Sequence, residues 1–265
     1  MAVRRSEDMA NMSPGMPIWV DLATSDLAGA TEFYTQLFGW TAHVSPEPEA
    51  MGYTIFNKDG KQAAGMGPLL GEGAPVAWST QFHVVDADRS AQDVIENDGH
   101  VLLQPMDVMK FGRWAVCTDQ AGAPFSLWQP YEMKGAEIIN EPGGFTWTEL
   151  TTRDPEGSKT FYGNLFGWLP EDRTTGPVTY TTFKLGGDPA AGMMPMEGEM
   201  WPPELPNHWM VYFAVADPDA TAEKAVALGG AAPVTPQDIV PGRFAVLNDP
   251  QGGHFSIIRM NERPD

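Results

Sequence analysis

Apolar positions recur along the chain in two registers. In "LAGATEFYTQLF" they fall at Ala30, Phe33, Tyr34, Leu37 and Phe38, the i, i+3, i+4, i+7, i+8 spacing of a helix with one buried face. Asp26 stands where an N-cap belongs, and Gly39 stands where the helix must stop. The flanking stretches read as short strands: "PIWVDLAT" before this helix, and "GYTIFNK", "QAAGMGPL" and "WSTQFHVV" after it. A second helix is expected from Asp86 to Gly99, followed by strands in "HVLLQP", "RWAVCTD" and "PFSLWQP".

The same pattern is then written again. Trp19 aligns with Trp147, 128 residues on, which sets "WVDLATSD" against "WTELTTRD" and Asp21 against Glu149. The helical phrase "TEFYTQLFGW" returns as "KTFYGNLFGW", with Asp154 and Pro155 at its start. "WSTQFHVVDADRSAQDVIENDG" faces "WMVYFAVADPDATAEKAVALGG" at a spacing of 131, from Trp78 to Trp209. "GRWAVCTDQAGAPFSLW" faces "GRFAVLNDPQGGHFSII" at 130, and such small drifts are what loop insertions produce. Polar, Gly and Pro residues interrupt the pattern at 131–144. We therefore expect an α+β chain of four strand–helix–three-strand (βαβββ) modules, in domains spanning 16–133 and 144–261. The aromatic residues of the repeated helix belong to the core.

Composition narrows the classes. With 42% apolar and 11% aromatic residues the chain is globular. It lacks an uncharged apolar run of 18 residues, so no membrane span is expected. The opening "MAVRRSEDMANMSPG" has basic residues without an apolar stretch behind them; it reads as a short flexible tail rather than a secretory signal. Cys117 is the single cysteine, which excludes an internal disulfide and points to a reducing cytoplasm. It sits in an apolar strand, as a packing residue rather than a nucleophile. Thirty-five acids against 16 Lys and Arg give a net charge of −19, a surface that repels phosphate backbones and excludes nucleic acid as a partner.

The repeated "D…FY…LFGW", the "F-x-V-x-D" at Phe82–Asp86 and Phe213–Asp217, and the turns "DQAG" (119–122) and "DPQG" (249–252) together resemble the vicinal-oxygen-chelate superfamily. That group includes glyoxalases, bleomycin-resistance proteins and extradiol dioxygenases. The tandem layout looks most like actinobacterial glyoxalase-like proteins labelled hydroxylases or antigens. The resemblance implies cupped mixed sheets. In metal-dependent members it also implies three inward ligands: a His, Gln or Glu on the first strand, a His on the fifth and a Glu on the eighth. Carried onto this chain, those positions are Trp19, Ser79 and Ser126 in one half and Trp147, Met210 and Ser256 in the other. Trp cannot ligate a metal and Ser is a poor ligand for divalent ions.

Strand residues two apart share a face, so the inward set extends to Asp21, Glu149, Gln81, His83, His208, Tyr212, Trp128 and His254. The resemblance implies that each cup combines the first strand of one half with the fifth and eighth of the other. One cup would gather Trp19, Asp21, His208, Met210, Tyr212, His254 and Ser256. The other would gather Trp147, Glu149, Ser79, Gln81, His83, Ser126 and Trp128. Asp21 and Glu149 are the candidate catalytic groups, as desolvated bases or as partners of Arg113 and Arg243. The Met-rich loop 190–206 is a candidate lid over the second cup. His43 and His100, in expected loops, receive no role.

The favoured reading is a pocket without metal or other cofactor. It would bind or transform an aromatic, natural-product-like molecule by carboxylate-assisted chemistry, in a monomer with an internal pseudo-twofold axis or in a homodimer. One alternative is a metal-dependent lyase or oxygenase using Asp21, His208 and His254. Another is an interaction protein whose pockets have decayed.

Overall fold

The computed structural model describes residues 12–71, 73–175, 178–199 and 201–261. The expected N-terminal tail falls mainly on residues 1–11, outside the described residues. The first half runs β1 (Pro17–Thr24), α1 (Leu27–Phe38), β2 (Thr41–Val44), β3 (Thr54–Lys58), β4 (Lys61–Pro68), β5 (Ala77–His83), α2 (Ala87–Glu96), β6 (His100–Val108), β7 (Gly112–Thr118) and β8 (Pro124–Pro130). The second half repeats it as β9 (Phe145–Thr152), α3 (Pro155–Phe166), β10 (Leu169–Thr175), β11 (Val178–Leu185), β12 (Asp188–Pro195), β13 (His208–Ala214), α4 (Pro218–Ala227), β14 (Ala231–Ile239), β15 (Gly242–Asn248) and β16 (His254–Met260). These are the four βαβββ modules. No helix among the described residues is long and apolar enough to cross a membrane.

The helices begin and end where local chemistry dictates. Asp26, Asp86, Asp154 and Asp217 each accept a backbone N–H of the first turn, satisfying donors that the helix leaves open. Gly39 and Gly167 close α1 and α3 in the left-handed conformation, at φ of 68° and 70°. The second helix stops at Glu96, short of Gly99, and Asp98 takes the left-handed turn instead. His43 and His100 lie in strands β2 and β6 rather than in loops, both exposed.

Each half forms its own eight-stranded sheet, in the orders β2-β3-β4-β1-β5-β8-β7-β6 and β10-β11-β12-β9-β13-β16-β15-β14. The central strands β1 and β5 are antiparallel, and so are β9 and β13. What the halves exchange is their helical faces. The α1 aromatics pack with Val211, Phe213, Phe255 and Ile257 of the second sheet. The α3 residues Phe161, Tyr162 and Phe166 pack with Phe82, Phe125 and Leu127 of the first. At the centre Thr80 and Thr148 meet at 2.7 Å across the two sheets. The sheets are thus back to back on a shared core, with their cups turned away from each other.

Two buried relays tie the halves. Trp78 Nε1 donates to the Tyr34 hydroxyl (2.9 Å), which donates to Asp249 of the "DPQG" turn (2.9 Å). Trp209, Tyr162 and Asp119 repeat it at 2.9 and 3.1 Å. Asp249 also accepts the backbone N–H groups of Gln251 and Gly253, so the turn's acid is structural. Tyr34→Phe strands a buried indole donor and a buried carboxylate oxygen. We expect a loss of about 1–3 kcal/mol, read as a lower urea midpoint at unchanged slope. Cys117 is buried within this core, and burial pushes its thiol up to about 12, in keeping with a packing role.

Candidate functional site

The cups differ in membership from the expectation. Because β1 pairs with β5 and β5 with β8 inside one sheet, Trp19 and Asp21 lie beside Ser79, Gln81, Ser126 and Trp128. Trp147 and Glu149 lie beside Met210, Tyr212 and Ser256, with His208 and His254 on the same strands β13 and β16. Among the described residues each named strand pairs within its own half. The displaced metal site of Asp21, His208 and His254 is therefore not assembled, since its acid and its imidazoles belong to different sheets.

The polar centre of the first cup is Asp21. Its Oδ1 accepts the Tyr53 hydroxyl at 2.6 Å and Trp19 Nε1 at 3.0 Å, and its Oδ2 accepts the Gln81 amide. Burial pushes its carboxyl up to about 6, against the opposing pull of the Tyr53, Trp19 and Gln81 hydrogen bonds. Among the described residues no cation pairs with it. Arg113 is engaged by Asp88 and Asp107, and Arg243 by Asp219 and Asp238, which corrects the expected ion pairs. Ser79 and Ser126 meet at 3.2 Å.

The second cup repeats this scheme with different chemistry. Glu149 Oε1 accepts the Tyr212 hydroxyl at 2.9 Å, while Trp147 Nε1 donates to the Tyr180 hydroxyl at 3.0 Å. Burial raises the Glu149 carboxyl, and the facing hydroxyls of Tyr180 and Tyr212 pull it back. Ser256 Oγ is wholly buried against the Tyr212 hydroxyl. Burial lowers His208, whose Nδ1 contacts the Pro206 carbonyl at 2.8 Å. His254 is exposed on Asn248, and His83 contacts the Met12 carbonyl, so neither imidazole meets a carboxylate of its cup.

Tyr53 and Tyr180 were not foreseen, nor were the glycines beneath them. A side chain at Gly65 would collide with the Tyr53 hydroxyl and the Asp21 carboxylate, and one at Gly192 with the Tyr180 hydroxyl. Both glycines leave room for a phenol to reach across the strand. The signal was in the sequence: "AAGM" occurs at 63–66 and again at 190–193, 127 residues on, the same spacing that separates Tyr53 from Tyr180. Trp, acid, Tyr and Gly thus make a repeated carboxylate cradle.

The three positions where relatives place metal ligands carry Trp, Ser and Ser in one cup and Trp, Met and Ser in the other. Among the described residues no group of three His, Cys, Asp or Glu side chains converges. This donor set does not fit a divalent ion.

Sheet order, repeated cradle and back-to-back cups define a tandem small-molecule fold. A family model, the Glyoxalase/Bleomycin resistance protein/Dioxygenase superfamily, matches residues 17–127 and again 144–257. The chain belongs to that superfamily. It is 39% identical over 270 residues to "Anthracycline biosynthesis protein DnrV" of Streptomyces peucetius, covering 96% of each chain. It is also 39% identical over 253 residues to "Putative glyoxylase CFP32" of Mycobacterium bovis, covering 92% of this chain and 95% of that one. Among solved structures, the 2,3-dioxygenase LapB from Pseudomonas sp. KL28 aligns at a TM-score of 0.64 and 12% identity, covering 94% and 93% of the two chains. At that identity the likeness concerns the fold alone.

Proposed function

We propose that this protein binds and transforms a planar aromatic, natural-product-like molecule by carboxylate-assisted proton transfer, without a divalent ion. The observation that carries this reading is the buried acid in each cup, Asp21 held by Tyr53, Trp19 and Gln81 and Glu149 by tyrosine hydroxyls, neither paired with a cation among the described residues. Such a carboxylate has its proton affinity raised by desolvation, which places a base closer to neutral pH than a surface acid would be. A ligand hydroxyl or acidic C–H beside Glu149 would give up its proton to the carboxylate. The Tyr212 hydroxyl, donating to Glu149 Oε1, orients the carboxylate for that transfer. Aromatic walls suit a flat apolar ligand with few polar groups. The end-to-end match to a protein named for anthracycline biosynthesis supports a fused-ring ligand.

The test uses 1,8-dihydroxyanthraquinone as probe, with protein dialysed against EDTA and protein reloaded with Mn(II). Both forms should quench tryptophan fluorescence equally, and binding at pH 7 should red-shift the probe's absorbance as its phenol loses a proton. In the Asp21→Asn/Glu149→Gln double variant the red shift should be lost. Because the base must be ionised, the shift should also fade as the solution is acidified. Binding that requires Mn(II), or a double variant that shifts the probe like wild type, would overturn the reading.

A further inference from the structure

The two cradles are alike in parts and unlike in availability. In the first cup both carboxylate oxygens of Asp21 are already taken, by three donors from Trp19, Tyr53 and Gln81. Trp19 is 1% exposed and Gln81 4%. Trp128 closes the same face: its ring lies on Gly112, and its Nε1 donates to the Met133 carbonyl of the linker at 3.1 Å. This indole is buried, at 4% exposure.

The second cup departs at each of these places. Tyr212 replaces Gln81, and Ile258 replaces Trp128 at the spacings fixed by the repeat. The indole of Trp147 turns to the Tyr180 hydroxyl, so the carboxylate is met by the Tyr180 and Tyr212 hydroxyls and by no indole or amide. Trp147 is partly exposed, and Ser256 lines the cavity beside the Tyr212 hydroxyl. A cavity opens over Trp147, Glu149, Tyr180, Met210, Tyr212 and Ser256 and runs on as far as Pro17, Ala77 and Trp78 of the first half.

The connection leading into the fifth strand differs as well. Pro68 joins Ala77 through residues 69–76, whereas Pro195 joins His208 through residues 196–207, four residues longer. Of the expected lid, Met193 and Met196 are buried in the core, while Met194, Trp201, Pro202 and Leu205 border the cavity. Met200 lies outside the described residues. Arg153 fixes this rim: its Nη2 donates to the Pro202 carbonyl at 2.7 Å, and its backbone N–H donates to Asn207 Oδ1 at 2.8 Å.

We infer that the protein has one working cup, the second. It takes a single hydroxylated fused-ring aromatic between Trp147 and the Trp201–Asn207 rim, with the ligand hydroxyl on Glu149 and a second polar group on Ser256. The first cup is its locked twin, with an acid consumed by internal hydrogen bonds. This inference rests on the function proposed above and narrows it to one site. The length of the rim and the replacement of Trp128 by Ile258 create the room; the Ser256 hydroxyl beside Tyr212 supplies polar recognition where the first cup has the Ser79–Ser126 contact.

The test is done on the full chain biosynthetically labelled with 5-fluorotryptophan, whose nine tryptophans are assigned by single Trp→Phe changes. Titration with 1,8-dihydroxyanthraquinone should saturate at one equivalent per chain by calorimetry. The Trp147 and Trp201 fluorine resonances should move, while those of Trp19, Trp114 and Trp128 stay in place. Saturation at two equivalents, or movement of Trp19 and Trp128, would overturn the assignment to one cup while leaving the proposed chemistry standing. Binding to neither cup would sink both. Arg153→Ala, which frees the rim, should weaken the probe's affinity about tenfold; an unchanged affinity would remove the rim from the site.

Discussion

Phe213→Ala should destabilise the protein by about 3–5 kcal/mol, the largest stability loss expected of any change named here. Phe213 belongs to the second sheet, yet its ring sits among Trp78, Phe38 and Trp40 of the first half, at centroid distances of 5.0, 5.1 and 5.5 Å. It is fully buried, so truncation leaves a cavity whose rigid aromatic walls cannot collapse into it. Phe82 is its counterpart, placed among Phe166, Trp209 and Trp168 of the second half at 5.1, 5.3 and 5.5 Å. Because each ring is a plug from one half in the core of the other, the loss should appear as a single cooperative transition at lower urea. Two separated transitions in the variant would show that the halves unfold independently and would defeat this account.

Asp21→Asn should act in the opposite direction at neutral and alkaline pH. The folded-state value of about 6 lies above the ordinary 3.8. The acid's contribution to stability is therefore fully present below about pH 4 and is lost as pH rises through 6. Above that range the native state carries a desolvated charge that costs on the order of 3 kcal/mol relative to acid. Asparagine has no such titration. Its amide can also donate to Gln81 Oε1, which is buried and has no partner. Urea titrations at pH 4.5, 6 and 8 should find the variant gaining on wild type as pH rises, by roughly 1–3 kcal/mol at pH 8. A difference that stays flat with pH would mean that Asp21 is not the titrating group.

The parts of the fold that could be read from sequence are those where side chains repeat with a period. The buried face of α1, its Asp26 cap and its Gly39 stop need only local chemistry, and all three are found. The edge strand β2 has no such pattern, because all four of its residues are exposed and its place is set by pairing with β3. Alternation says which face of a strand turns inward, but it does not name the neighbouring strand. That is why Trp19, Asp21, Ser79 and Gln81 could be identified as facing inward and still be assigned to the wrong cups. The cradle tyrosines were hidden for a related reason. Tyr53 stands just before β3 and Tyr180 within β11, and their role depends on Gly65 and Gly192, where a side chain would meet their hydroxyls.

The shared core has a consequence for how the two halves can change. The inner faces of α1 and α3 are completed by strands from both halves, so the chain is built like a dimer whose subunits have been made continuous. In a true homodimer any substitution in one cup appears in both. Here the peptide link through residues 131–144 gives each cup its own copy of the sequence. The cups face opposite ways, so a Gln81 can become a Tyr212, or a Trp128 an Ile258, without disturbing the rings that hold the halves together. One copy is released to explore ligands while the other continues to serve the scaffold.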